Sequence, residues 1–245
     1  MNKYLSHAHK ILDLTSTLIE GPNQVDTKYK RILEGIARRN YYTLFSIVYL
    51  AESEFHSDSI LDLSRRLIED MVAVEFMKLK GKDEQAAKFI DFIKVEIKND
   101  YEFLILNGLP PPPNMVAEVT ADFEKVKKQF EYKPGEIAHS WAMCSVESMI
   151  EELLKADAIK ATDKNMFLMA YVLGNRKNHL SPLDVMSFWN QEIRDRNQQQ
   201  NMNIGMVFSI TSYFHVINEF AIVQNREDLL HQLEEFWGSF NSSSS

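Results

Sequence analysis

Apolar residues recur at three- and four-residue spacing along nearly the whole chain, and no stretch shows sustained strand alternation. The pattern predicts a helix over about 3–20, closed by Gly21-Pro22, and a second that Asp26 or Thr27 caps and that runs to about 55. Ser57 or Asp58 caps a third helix that ends at Gly81, and a fourth runs from Asp83 to about Asn107, where Gly108 stops it. Leu109-Pro110-Pro111-Pro112-Pro113 cannot be helical and reads as a stiff surface connection between two helical layers. A fifth helix follows over about 115–131, ending before Lys133-Pro134-Gly135. The second half is more broken. It predicts helices at about 145–156, after Trp141, and about 163–173, with Gly174 as C-cap. Ser181-Pro182-Leu183-Asp184 then starts a helix that runs to the polar stretch Asp195–Asn203, and helices at about 204–223 and 226–239 finish the chain. The expected class is therefore all-α: one domain over 1–241, a bundle of about nine or ten helices, with Ser242–Ser245 as a low-complexity tail.

The third helix sets the centre of that bundle. Ile60, Leu61, Leu63, Leu67, Ile68, Met71, Val72, Val74 and Phe76 cover most of its circumference, so the helix near 57–80 should pack on several sides. Arg65 and Glu69 stand four apart on it and can form an ion pair, which a partly buried arginine requires.

Composition narrows the function classes. The chain has 245 residues, 45% of them hydrophobic, with a formal net charge of −8. That charge disfavours nucleic-acid binding through the overall field. One cysteine, Cys144, excludes an internal disulfide framework and a cysteine-rich metal site. The first residues hold no apolar signal core, and the longest apolar stretch, Tyr41–Ala51, is too short to span a bilayer. A cytoplasmic location without membrane association is expected, with a protein partner or a second copy as the class of partner.

The candidate chemistry is sparse. No phosphate-binding glycine loop and no Gly-x-Ser-x-Gly elbow occurs. Glu136-Ile-Ala-His139 and Asp228-Leu-Leu-His231 match the Glu-x-x-His spacing of di-iron bundles only formally, so neither a metal nor a cofactor is expected. Arg226 and His231 match the Arg–His spacing of small helical nucleases at the frequency of chance, and Cys144 has no activating neighbour. Lys28, Arg31, Arg38 and Arg39 share one arc of the second helix with Tyr42, which reads as a solvated or ion-paired face, or as a docking face for nucleic acid or an acidic partner. His179 lies in a polar loop just before a helix start, where its cationic form is disfavoured.

Two sequence elements carry a family resemblance. Ser59-Ile60-x-x-Leu63-x-Arg65-x-x-x-Glu69 is the first; Trp141-x-x-x-Ser145-Val146 followed by Tyr171-Val172-Leu173 and His179 is the second. Over roughly 30–200 the chain resembles the prokaryotic domain of unknown function numbered five-six-seven-seven, though Asn175 stands where the pattern has serine. The resemblance implies a helical protein, a setting among mobile-element or defence genes, and characteristic positions at Arg65, Glu69, Trp141, Ser145, Tyr171 and His179. The expected function is a helical interaction or regulatory module of a defence or stress system. A helical ribonuclease or toxin-like hydrolase using His179 with Arg65 and Glu69 is the alternative, and a metal-dependent bundle enzyme is a further one. Arg65, Glu69, Tyr171 and His179 are expected to form one polar cluster, in which Glu69→Ala would destabilise by about 3–5 kcal/mol if the pair is buried.

Overall fold

The computed structural model describes residues 3–53, 57–159, 168 and 191–244. Among them are eight helices: α1 Lys3–Glu20, α2 Lys28–Glu52, α3 Ser57–Lys80, α4 Lys82–Leu106, α5 Pro113–Phe130, α6 Val146–Lys155, α7 Gln191–Val223 and α8 Glu227–Ser244. The class is all-α. The helix expected at 163–173, and the start signal at Ser181, lie outside the described residues. Of Asp26 and Thr27, Thr27 is the cap, its side chain accepting from the Lys30 amide; Ser145, which the sequence did not single out as a cap, accepts from Ser148.

Three boundaries differ from expectation. Asp195–Asn203 is not a break but the first part of the 33-residue α7. Its glutamines, arginines and glutamate are good helix formers, and no glycine or proline interrupts it before Gly205, so the helix continues through the polar stretch with Met202 buried and Glu192, Asp195, Arg196, Gln199 and Gln200 exposed. Glu131–Lys133 (β1) and Glu136–Ile137 (β2) form a small antiparallel hairpin around Pro134-Gly135, with Gly135 at φ 79°. Proline followed by a left-handed glycine suits a type II turn, and strands this short leave no alternation to detect. Finally, Ser242–Ser244 continue α8 rather than forming a separate tail.

α3 is the central element, packed against α2, α4, α6 and α7. Ile60, Leu61, Leu67, Ile68, Met71, Val72, Val74 and Met77 are all buried. Contacts of Ser64 with Gly205 and Ser209, and of Lys78 with Glu219, show that α3 and α7 run parallel. They approach closely at Gly205: a β-carbon there would stand 2.6 Å from Ile60 Cγ2. Ser64 Oγ uses that gap, donating to either the Ile60 or the Gly205 carbonyl, and meets Ser209 Oγ at 2.8 Å. A glycine and two serines thus join two backbones without leaving the hydroxyls unpaired. α1 and α8 close the bundle, with Tyr4 and His7 against Phe240.

α4 and α5 form an arm with its own small core of Phe92, Val95, Val126 and Phe130. Trp141 joins it to the main core, edge-on to Phe76 and Phe89 at 6.1 and 5.5 Å. The proline run sits at the arm's tip, a surface connection between two helices as expected. Tyr41–Ala51 is not the longest apolar run in helical terms. Gln198–Val223 of α7 has the length and composition to cross a bilayer, and 72% of that window is buried inside the fold, as for a core helix.

Candidate functional site

One face of α3 stays polar at its N-terminal half. At helical spacing Asp62, Arg65, Arg66 and Glu69 line a single arc, and together they border a cleft of about 230 Å³. Arg66 and Glu69 also border an adjoining cleft of about 290 Å³, shared with Asp70 and with Arg39 and Thr43 of α2. Three guanidinium and three carboxylate groups therefore converge where α2 crosses α3.

Arg65 Nε donates to Glu69 Oε1 at 2.8 Å, so the expected ion pair is present. It is only half-buried, the side chains retaining 25% and 34% of their exposure. The expected destabilisation on Glu69→Ala is therefore corrected downward: an i,i+4 pair in this environment is worth about 0.3–1 kcal/mol rather than the 3–5 of a buried pair. His179 and Tyr171, expected to complete the cluster, lie outside the described residues.

Across the cleft, Arg39 clasps Asp70 with two hydrogen bonds, Nε to Oδ2 at 3.1 Å and Nη2 to Oδ1. The two partners differ in burial: Asp70 keeps 11% of its side-chain exposure and Arg39 keeps 61%. Burial pushes the Asp70 carboxyl up to about 6, and the solvent-screened Arg39 only partly offsets it. Thr43 donates its hydroxyl to the Arg39 carbonyl. Arg66 differs from its neighbours. It is exposed, borders both clefts, and makes no hydrogen bond or ion pair with any described residue.

The basic arc expected on α2 is divided. Arg38 is held by Glu34 at 2.9 Å and donates to the Gly21 carbonyl, and Arg39 turns to Asp70; Lys28 and Arg31 are exposed. The other sequence candidates resolve separately. Glu136 faces Lys133, Asp228 takes two hydrogen bonds from Arg226, and His231 is exposed beside Glu234. No three metal-ligating side chains gather among the described residues. Cys144 borders a cavity of about 470 Å³ with Tyr132, His139 and Met143, where burial raises the thiol and the Glu152 carboxylate adds to it. That environment favours the neutral thiol over a nucleophile. Trp141 and Ser145, two of the family-pattern residues, serve packing and helix capping.

Sequence reasoning missed a second ionic cluster, inside the core. Glu219 of α7 accepts from the Tyr29 hydroxyl at 3.1 Å and from Lys82 at 2.7 Å, while Lys78 bridges it to Glu75. Burial pulls the Lys78 ammonium down, but the two carboxylates outweigh it and leave it raised. Burial and the Glu219 carboxylate raise the Tyr29 hydroxyl, keeping it a donor. The signal was available: Glu75 and Glu219 are lone acids within apolar runs of helices that must be buried.

The model of a family of unknown function, DUF5677, matches residues 30–198, a span that contains the whole charged cleft. It is the family that the Arg65–Glu69 and Trp141–Ser145 elements resemble. No curated protein and no solved structure matches the chain.

Proposed function

Because the chain belongs to the DUF5677 family, whose members share no established activity, its role rests on its own residues, and we propose that it is a helical interaction module that captures an anionic group of a partner in the α2–α3 cleft. The observation that supports this most is Arg66, an exposed guanidinium at the junction of two clefts with no hydrogen bond or ion pair to any described residue. Its neighbouring carboxylates, Glu69 and Asp70, are already engaged by Arg65 and Arg39. An arriving carboxylate or phosphate therefore meets one uncommitted fork of donors, held on a helix whose other faces are locked in the core. The remaining groups supply shape rather than net charge. The resemblance adds the setting: a regulatory component of a prokaryotic defence or stress system, in the cytoplasm.

One observation favours a second reading, a helical ribonuclease or toxin-like hydrolase using His179 with Arg65 and Glu69. Asp70, ionising near neutrality at the edge of the same cleft, is suited to proton transfer. Expression of the wild type and of Glu69→Gln, Asp70→Asn and His179→Ala in bacteria, with growth and RNA integrity followed, separates the two. The interaction reading expects intact RNA in every strain. RNA loss in the wild type that disappears in any of the three variants would overturn it.

A further inference from the structure

Among the apolar side chains left exposed, two groups complement each other. On α2, Tyr42, Phe45 and Tyr49 are 58%, 58% and 71% exposed. At about 100° per residue they fall within an arc of roughly 60°, opposite the buried row that holds Leu33, Ala37 and Leu44. At the tip of the α4–α5 arm, Leu109 is 67% exposed and is followed by Pro110, Pro111 and Pro112 before Pro113 opens α5.

We propose that the Leu109–Pro112 tip of one copy of this chain docks on the Tyr42–Phe45–Tyr49 stripe of a second copy. The tip has the chemistry of a polyproline ligand. Pro112 sits at φ −53° and ψ 137°, in the polyproline region, and the ring of each neighbouring proline restricts its own backbone in the same way. Such a segment loses little entropy on binding and is recognised by exposed aromatic rings. The dimensions agree. Seven helical residues separate Tyr42 from Tyr49, about 10.5 Å at 1.5 Å per residue. Leu109 to Pro112 spans about 9 Å at 3.1 Å per residue, so successive proline rings reach successive gaps between the aromatic rings.

The polar groups agree as well. The Pro112 carbonyl is taken by the Met115 and Val116 amides, whereas those of Leu109, Pro110 and Pro111 accept no hydrogen bond from the described residues. The hydroxyls of Tyr42 and Tyr49 are donors at the two ends of the stripe. Charge favours the same pairing: the arm exposes Glu96, Asp100 and Glu118, and the first turns of α2 expose Lys28 and Arg31. Both features are exposed, so each is open to the complementary feature of a second copy. It joins two different surfaces, which makes it heterologous. This pairing lies away from the α2–α3 cleft and does not rest on the function proposed for it.

The test uses two variants of the full chain. Leu109→Ser with Pro111→Ser alters the tip and leaves Pro112 and Pro113 to start α5; Phe45→Gln with Tyr49→Gln alters the stripe at exposed helical positions. Circular dichroism and the thermal midpoint establish that both are folded. In sedimentation equilibrium the wild type should associate with rising concentration and each variant alone should stay monomeric. Mixing the two should restore association, doubling the mass over the monomer, because each supplies the half the other lacks. A wild type that stays monomeric throughout overturns the proposal, as do variants that associate like the wild type or a mixture that remains monomeric.

Discussion

Replacing Asp70 with asparagine tests the electrostatics of the cleft. The shape is conserved and the charge is removed, so the comparison isolates what ionisation costs at that position. The Asp70 carboxyl moves from 3.8 to about 6 because burial disfavours the anion more than Arg39 favours it. A raised carboxyl means that the folded chain binds the proton more tightly than the unfolded chain, so stability from this group is present at low pH and is lost as pH rises from about 4 to about 6. Two pKa units at 1.36 kcal/mol each come to about 3 kcal/mol across the full window, of which about 2 kcal/mol falls between pH 4.5 and 7.5. Urea unfolding of the wild type and Asp70→Asn at both pH values gives the difference directly, and other carboxylates cancel in it. The stability of the wild type relative to the variant should fall by about 2 kcal/mol on going from pH 4.5 to 7.5. A relative stability that instead rises with pH would show that the bidentate Arg39 contact depresses the carboxyl, and would refute the reasoning.

Other positions give further expectations. Gly205→Ala should destabilise by about 1–3 kcal/mol in thermal or urea unfolding, because its new methyl meets Ile60 and Ser64, whereas Gly35→Ala, with nothing within 4 Å, should stabilise α2 by about 1 kcal/mol. Glu219→Gln should cost about 1–3 kcal/mol, since it removes the buried charge that Lys78 and Lys82 share, while Lys78 keeps Glu75 and Lys82 keeps solvent; a loss below about 0.5 kcal/mol would mean that water already screens the cluster. Asn40→Leu should stabilise by about 1–3 kcal/mol, because both amide atoms of Asn40 are buried without a hydrogen-bond partner.

The helices were readable because their apolar periodicity is strong and their boundary signals are explicit: Thr27 and the proline run mark ends that the fold uses. The continuity of α7 through Asp195–Asn203 was missed because Met202 is the one apolar residue in that stretch, and polarity without glycine or proline does not end a helix. The ion pair of Arg65 and Glu69 follows from spacing on one helix, but its environment does not. That Arg39 crosses to Asp70, while Arg66 makes no ion pair among the described residues, depends on how α2 lies across α3, which no local pattern encodes. The same holds for Glu219, whose partners come from α2, α3 and α4. It also explains why the basic arc divides: Arg38 meets Glu34 within its own helix, while Arg39 is claimed by the neighbouring one.

The claim that Arg66 anchors an anion in the cleft is tested most directly by following arginine side-chain N–H signals while inorganic phosphate and, separately, acetate are added to the wild type and to Arg66→Gln. The account predicts a saturable shift assigned to Arg66 with at least one of the two anions, together with smaller shifts at Arg39 and Arg65, all lost in the variant. Shifts confined to Arg31, or an Arg66 signal that does not respond to either anion, would contradict it.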